Sequence, residues 1–359
     1  MYPTTFEGLL TTSHSDWKTF TRREFTPKTL TPHDVDIKVT TCGICSSDIH
    51  TANGGWGDAH LPLCLGHEIV GTVVKIGDRV TTVKLGDRVG VGAQAWACLD
   101  CEVCTASNEQ YCEKYVDTYN GVYPDGSISQ GGLASHVRVH EHFVFSIPDS
   151  LSSSAAAPML CAGLTTYSAL VRNGCGPGLR VAVVGIGGLG HFALQWARAL
   201  GAETVAAISR SGAKRDDAMK LGASVFIDSA REDWTAEWKR GFDLVLNTAN
   251  VAHRDTFSAY LDLLAVNGTF HTVGLPETPL PALSAQDIVL RGIKIGGSNL
   301  GSRVEMLAML KLAGEKGIGA WVEEMQVNEG NCKEVMERMQ ENRARYRYAL
   351  VGFESFFAV

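Results

Sequence analysis

Apolar and polar residues alternate with period two through Val35-Asp36-Ile37-Lys38-Val39, the pattern of a half-buried strand. The β-branched run at 69–76 ends at Gly77-Asp78, and 87–92 and 136–147 have a similar texture. Short strands punctuated by Gly, Asp and Pro predict an irregular β-rich domain over 1–152. Near Ser152 the pattern changes. Residues 155–171 are helical in composition, and strands at 180–185, 203–208, 242–247 and 269–274 then alternate with helices at 189–200, 213–221 and 253–264. Leu189, Phe192, Ala193, Trp196 and Leu200 share one helical face, which can pack on a sheet. This alternation predicts an α/β fold, a doubly wound parallel sheet of Rossmann type, over 153–298. Beyond 299 the pattern predicts a helix at 303–312, a strand at 321–327, a helix at 333–339 and a strand at 346–352.

Composition narrows the function classes. A chain of 359 residues has room for two domains, and 45% hydrophobic with 20% charged residues fits an ordinary soluble enzyme. A net charge of -7 disfavours nucleic acid or an anionic membrane as partner, leaving small molecules. No apolar run reaches the roughly 18–20 residues of a membrane span. The N-terminal Met1-Tyr2-Pro3-Thr4-Thr5-Phe6-Glu7 lacks the basic and apolar regions of a secretory signal, and Phe357-Ala358-Val359 matches no sorting motif, so a cytoplasmic location is expected.

The stretch Arg180-Val-Ala-Val-Val-Gly185-Ile-Gly187-Gly188-Leu189-Gly190 places G-x-G-x-x-G between a strand and a helix. Gly185 makes the tight turn, Gly187 admits a pyrophosphate to the backbone, and Gly190 lets helix and strand pack closely. The helix N-terminus then offers N–H groups to the anion. An NAD site calls for an acidic residue about 20 residues on. Here the next strand ends in Ser209-Arg210-Ser211, followed by Lys214-Arg215. Small hydroxyls with a guanidinium and an ammonium suit the 2′-phosphate of NADP(H).

Four of ten cysteines fall in Cys98-x2-Cys101-x2-Cys104-x7-Cys112. In a long cytosolic chain such clustering points to metal rather than disulfides. Four thiolates close a tetrahedral, structural zinc site, with an iron–sulfur cluster as the less favoured occupant. Elsewhere, Cys45 lies in Cys42-Gly-Ile-Cys45-Ser46-Ser47-Asp48-Ile-His50, His67 and Glu68 follow Gly66, and Cys161 lies in the helical run after Pro158. Two thiolates and an imidazole are the ligand set of an open catalytic zinc, with the fourth position left for water, substrate or Glu68.

These motifs, with Gln130-Gly-Gly132, Ala156-Ala-Pro-Met-Leu-Cys-Ala-Gly-Leu-Thr165 and Arg345-Tyr-Arg347, run in order along nearly the whole chain. The sequence resembles the zinc-dependent medium-chain alcohol dehydrogenases, and within them the NADP-dependent cinnamyl-alcohol dehydrogenases of fungal and yeast broad-substrate type. The resemblance implies a GroES-like catalytic domain at 1–152, with the structural-zinc lobe near 95–115, completed by 299–359 after the nucleotide domain. It implies that Cys45, His67 and Cys161 hold the catalytic zinc, with Glu68 as exchangeable ligand and Asp48 orienting His67. Ser47 would exchange the proton at the substrate oxygen and pass it through the cofactor ribose toward His50. Thr165 and Gly185–Gly190 would contact the cofactor, and Ser209, Arg210, Ser211 and Lys214 its 2′-phosphate. Trp56, Asn299 and Leu300 would wall the substrate pocket, and the chain would pair as a homodimer. Two positions depart from the family pattern: Ser46, where many members carry Gly, and Asn299, where several carry a bulky aromatic. Cys42 falls outside the ligand pattern and is expected to be a packed thiol.

The implied reaction is reversible hydride transfer between NADP(H) and aromatic or aliphatic primary alcohol/aldehyde pairs. Rival readings are a same-fold reductase of iminium or conjugated double bonds, a zinc-free quinone reductase and a non-catalytic NADPH-binding sensor. The presence of Ser47, His50 and Glu68 favours carbonyl chemistry.

Overall fold

The computed structural model describes residues 3–251 and 253–358. The outermost residues Met1, Tyr2 and Val359 of the expected domains and terminal motifs lie outside the described residues, as does Ala252. The chain divides into two compact units, Met1–Ala162 with Ser302–Val359, and Gly163–Gly301.

In the first unit the strand Asp34–Ile44 is central. It pairs antiparallel with Glu68–Ile76, with His136–His140 and with Arg347–Val351. Glu68–Ile76 continues the sheet to Arg88–Val91 and Phe145–Ser146, while Val322–Gln326 lies parallel to Arg347–Val351 at the other end. The C-terminal strand thus enters a sheet begun near residue 34, which ties the end of the chain to its first half. The predicted alternation over 35–39 does not become a half-exposed strand. Asp36 is as buried as Val35 and Ile37 because Arg138 on the facing strand donates two hydrogen bonds to its carboxylate, at 2.7 and 2.9 Å. A buried carboxylate is tolerable when so paired.

The helical run expected over 155–171 is interrupted. A helix at Ser153–Ala156, capped by the Ser152 hydroxyl, passes into a tighter turn at Ala157–Leu160, and a second helix runs Ala162–Arg172. At the break Cys161 has φ -121° and ψ -76°, and the two helical segments bend by 54°. Residues 153–162 pack with the first unit, beyond the composition change at Ser152. Leu160 accounts for this, since its side chain and carbonyl fill the space that side chains would need at Gly90 and Gly92.

The second unit is a six-stranded sheet in the order Val225–Asp228, Thr204–Ser209, Arg180–Val184, Phe242–Asn247, Leu264–Thr272, Lys294–Gly297. Every pairing is parallel. Arg180–Val184 is the first strand and lies third in the row, so the strand order reverses beside its C-terminal end, where doubly wound sheets bind ligands. Trp196 and Phe192 of helix Gly190–Ala199 are fully buried and stacked at 6.0 Å, as the predicted apolar face requires. The strands Val225–Asp228 and Lys294–Gly297, each of four residues, were not foreseen. The second is half glycine, which erases the β-branched signal.

Candidate active site

Asp34–Ile44 delivers the chain to Cys45, which N-caps the helix Ser46–Ala52. Asp48 folds back at the first turn and accepts from the backbone N–H of Cys45 at 2.7 Å and of Gly66 at 2.9 Å. Its carboxylate also lies 3.4 Å from His67 Nδ1. One buried aspartate therefore joins the Cys45 turn to the Gly66-His67-Glu68 turn. It also orients the imidazole so that Nε2 faces Cys161 Sγ at 3.2 Å. The break before Ala162–Arg172 supplies that thiol.

The ligand atoms of Cys45, His67, Glu68 and Cys161 all lie within 4.8 Å of one another, and all four residues are buried. Glu68 Oε2 has no hydrogen-bond partner, although the residue is fully buried. Its other oxygen accepts from Arg347 Nη2, and Arg347 Nη1 lies 3.9 Å from Cys45 Sγ. Gly43 is required here: a Cβ at that position would stand 2.2 Å from Glu68 Oε2.

The electrostatics suit a cation. A hydrogen bond from Cys161, helped by the Arg347 guanidinium, holds the Cys45 thiol well below its ordinary value against the opposing effect of burial. Burial alone would lower the His67 ring, but Asp48 outweighs it and pushes the ring well above its usual range. Burial pushes Glu68 up to about 7 despite Arg347. Two thiols, an imidazole and an unpartnered carboxylate oxygen converging in a buried site fit a zinc ion.

A second cluster lies on the loop around the short helix Glu102–Thr105, which Cys101 N-caps. The sulfurs of Cys98 and Cys104 are 3.9 Å apart, those of Cys101 and Cys112 3.9 Å, and those of Cys98 and Cys112 3.5 Å. Zinc–sulfur bonds of about 2.3 Å in a tetrahedron place sulfurs about 3.8 Å apart. The cysteines are free thiols, and their spacing fits a closed structural site.

In the Gly163–Gly301 unit the strand Arg180–Val184 ends in the glycine turn. Gly185 has φ +85°, a Cβ on Gly190 would stand 1.9 Å from the Gly185 carbonyl, and nothing lies within 4 Å of a Cβ built on Gly187. The turn is thus closed underneath and open above, a cradle for a pyrophosphate. Lys214 Nζ donates to the Ile186 carbonyl at 2.7 Å, which brings its ammonium to the turn. Ser209 closes the strand Thr204–Ser209, Arg210 is exposed, and Ser211 caps the turn Gly212–Lys214. Arg215 instead stacks on Phe226, 5.0 Å from the ring centroid.

Two family profiles match: an alcohol dehydrogenase GroES-like domain over residues 31–149 and a zinc-binding dehydrogenase domain over 188–315. The chain is 46% identical over 359 residues to the NADP-dependent alcohol dehydrogenase 6 of Saccharomyces cerevisiae, covering 99% of each chain. It belongs to the zinc-binding alcohol dehydrogenases. Among solved structures, a cinnamyl alcohol dehydrogenase from Sorghum bicolor superposes with a TM-score of 0.91 at 37% identity, covering 97% of each chain. The Helicobacter pylori cinnamyl alcohol dehydrogenase complexed with NADP(H) gives 0.88 at 31% identity, covering 97% of this chain and 98% of that one.

In this dehydrogenase the remaining predicted residues divide into two groups. Ser47 Oγ lies 3.6 Å from Cys45 Sγ, beside the four donors, and Thr165 is buried in Ala162–Arg172. Trp56 is 44% exposed and stacks on His50 with centroids 4.9 Å apart. Asn299 and Leu300 belong to the other compact unit, with Leu300 buried and Asn299 exposed. Ser46 is exposed and outside the donor group. Cys42 is fully buried in the apolar core, as a packed thiol should be. Sequence reasoning gave Arg347 no role. Its signal was a cation opening the otherwise uncharged strand Arg347–Val351. Tyr119, whose ring lies 5.4 Å from that of His67, carried no signal.

Proposed function

We propose that this dehydrogenase interconverts primary alcohols and aldehydes, aromatic or aliphatic, using NADP(H), and works mainly as an aldehyde reductase. The observation that carries this reading is the convergence of Cys45, His67, Glu68 and Cys161, with Glu68 Oε2 buried and unpartnered. These four residues would hold the catalytic zinc, and Cys98, Cys101, Cys104 and Cys112 the structural one. When bound, zinc supplies Lewis-acid polarisation of the substrate oxygen and NADPH supplies the hydride.

The chain's own residues do the rest. Asp48 fixes the His67 ring through Nδ1. Arg347 holds Glu68 by one oxygen and leaves the other free to enter or leave the donor group. Ser47 Oγ takes or gives the proton at the substrate oxygen, and His50, half-exposed beneath Trp56, exchanges it with solvent. Ser209, Arg210, Ser211 and Lys214 favour the extra phosphate of NADP(H), since the strand Thr204–Ser209 ends without a carboxylate. The glycine turn and Thr165 receive the rest of the cofactor. Trp56, Asn299 and Leu300 would contribute to substrate choice.

The reading extends to a cytoplasmic homodimer. Lys294–Gly297 ends its sheet with one neighbour, and Val289 and Leu290 nearby are 73% and 75% exposed. An open parallel edge flanked by exposed aliphatic side chains supports pairing. Among the described residues no single helix is long and apolar enough to cross a membrane. The test is a panel of aromatic and aliphatic aldehydes with NADPH and NADH, alongside light scattering. Fast NADPH oxidation by a dimer is expected; reduction with NADH alone, or none, would contradict the reading.

A further inference from the structure

The parallel sheet of the Gly163–Gly301 unit has the strand order of two mononucleotide-binding halves that meet beside Arg180–Val184. In the reading above, the glycine turn after Arg180–Val184 and the end of Thr204–Ser209 serve the adenosine half of the cofactor. Phe242–Asn247, Leu264–Thr272 and Lys294–Gly297 form the other half, so the nicotinamide mononucleotide belongs at their carboxyl ends. Polar side chains tie those ends together on both faces of the sheet. On one face the buried Asn247 donates from Nδ2 to Thr272 Oγ1 at 3.2 Å and to the Ala249 carbonyl at 3.0 Å. His271, next to Thr272 along the strand, points to the opposite face.

There His271 is 7% exposed, and both of its ring nitrogens are engaged. Asn173, just past the helix Ala162–Arg172, has Nδ2 2.7 Å from the Ala169 carbonyl and 3.1 Å from His271 Nδ1. A carbonyl only accepts, so that atom is the amide nitrogen, and its second hydrogen goes to a bare Nδ1. The ring proton is then on Nε2, which donates to Ser298 Oγ at 2.9 Å. Burial, and more weakly Arg172, holds the ring below its ordinary value, which keeps it in this neutral form. A helix end, a central strand and the residue just past Lys294–Gly297 are thereby fixed to one another.

This brace holds a turn that the backbone holds only weakly. Lys294–Gly297 is half glycine, and the Ser298 N–H reaches the Thr272 carbonyl at a long 3.4 Å. Two residues further on, Leu300 has φ +48°, a left-handed conformation that is costly for leucine. Such outliers persist where the surrounding structure holds them, and they cluster at functional sites.

We propose that Asn173, His271 and Ser298 shape the nicotinamide half-site: His271 is a positioning residue that fixes Ser298 and the turn at 298–300 to receive the nicotinamide mononucleotide. The proposal rests on the NADP(H) reading and adds to it the residues that serve the hydride-carrying half of the cofactor. Without the brace the turn has to be ordered when the cofactor binds. Affinity for the nicotinamide end then falls, while the adenosine end keeps its own contacts.

The test is calorimetric titration with two ligands: NADPH, and 2′-phosphoadenosine 5′-diphosphoribose, which has the same adenosine half and no nicotinamide. Ser298→Ala removes the acceptor of the imidazole. It is expected to weaken NADPH about fivefold or more, the scale of one hydrogen bond, and to leave the nicotinamide-free ligand within about twofold of wild type. Ser298→Thr keeps the hydroxyl and restores NADPH binding. His271→Phe repeats the loss, and combining it with Ser298→Ala weakens NADPH no further, because both remove the same link. Ser298 is only half-buried, so Ser298→Ala decides the matter if His271→Phe does not fold. A purely structural role would weaken both ligands in parallel or neither, and either result would overturn the proposal. Failure of the NADP(H) reading shows instead in wild type, as no binding of the nicotinamide-free ligand, and takes the proposal with it.

Discussion

Arg347 and Glu68, 279 positions apart, form a fully buried ion pair at the edge of the cluster of Cys45, His67, Glu68 and Cys161. Arg347 leads the last strand of the sheet, and Glu68 opens the strand that pairs on the far side of Asp34–Ile44. The pair thus links the end of the chain to the site. Arg347→Leu leaves a carboxylate buried without its partner, a change that costs about 3–5 kcal/mol in comparable buried pairs. Denaturant unfolding of Arg347→Leu, Glu68→Gln and the double variant checks this. The double variant is expected to recover part of the loss; strict additivity would show that the pair is not coupled.

The four-cysteine lobe forms a group distinct from that of Cys45, His67, Glu68 and Cys161. Cys104→Ser removes one thiolate from a cage whose sulfurs approach within 3.5 to 3.9 Å. The expected outcome is loss of about one zinc per chain and a lower thermal midpoint, with kcat little changed in the protein that remains folded. Elemental analysis with thermal melts reads both. A normal midpoint after loss of that zinc would remove its structural role.

Cofactor choice should follow charge at the end of Thr204–Ser209. Arg210→Asp puts a carboxylate where the ribose hydroxyls of NAD would need one and repels the 2′-phosphate of NADP. The ratio of kcat/KM for NADPH over NADH is expected to fall by about a hundredfold or more, the scale of losing a charge-assisted phosphate contact. An unchanged ratio would place the phosphate contacts elsewhere.

Acid should destabilise the first unit in two steps. Burial holds the His140 ring down to about 4, and its Nδ1 accepts from the His142 N–H at 3.1 Å, which needs the neutral ring. Below about 6.5 the unfolded chain binds a proton that the folded one refuses. Stability therefore falls as pH drops from about 6.5 toward 4, by at most about 1.4 kcal/mol per unit. Glu141 acts lower. Burial would raise its carboxyl, but His33 and the N–H groups of Thr81 and Thr82 hold it at about 2. Its contribution is complete above about 4.5 and is lost toward 2. His140→Asn, which keeps an acceptor near Nδ1, should flatten the upper step in denaturation midpoints between pH 7 and 4. An identical slope in wild type and variant would show that His140 does not govern it.

What the sequence revealed follows how local each feature is. The glycine turn and the four-cysteine lobe lie within fifteen residues or fewer, so spacing alone exposes them. The alternating strands and helices of the nucleotide unit were legible because each buries a whole face. Cys45, His67 and Cys161 were found by residue type and resemblance, since only the folded chain brings His67 and Cys161, 94 positions apart, to 3.2 Å. The break at Cys161 stayed hidden because Pro158 can sit in a first helical turn without ending the helix. Arg347 was missed because neither pattern nor spacing tells what a charged side chain will meet.

We propose that Cys45, His67, Glu68 and Cys161 hold the catalytic zinc of this dehydrogenase. The most direct measurement is Cys45→Ser, with zinc counted, NADPH binding titrated and aldehyde reduction assayed on one sample. The expected outcome is one zinc fewer per chain than wild type, unchanged NADPH binding and no turnover. Turnover retained in that variant, or an undiminished zinc count, would contradict it.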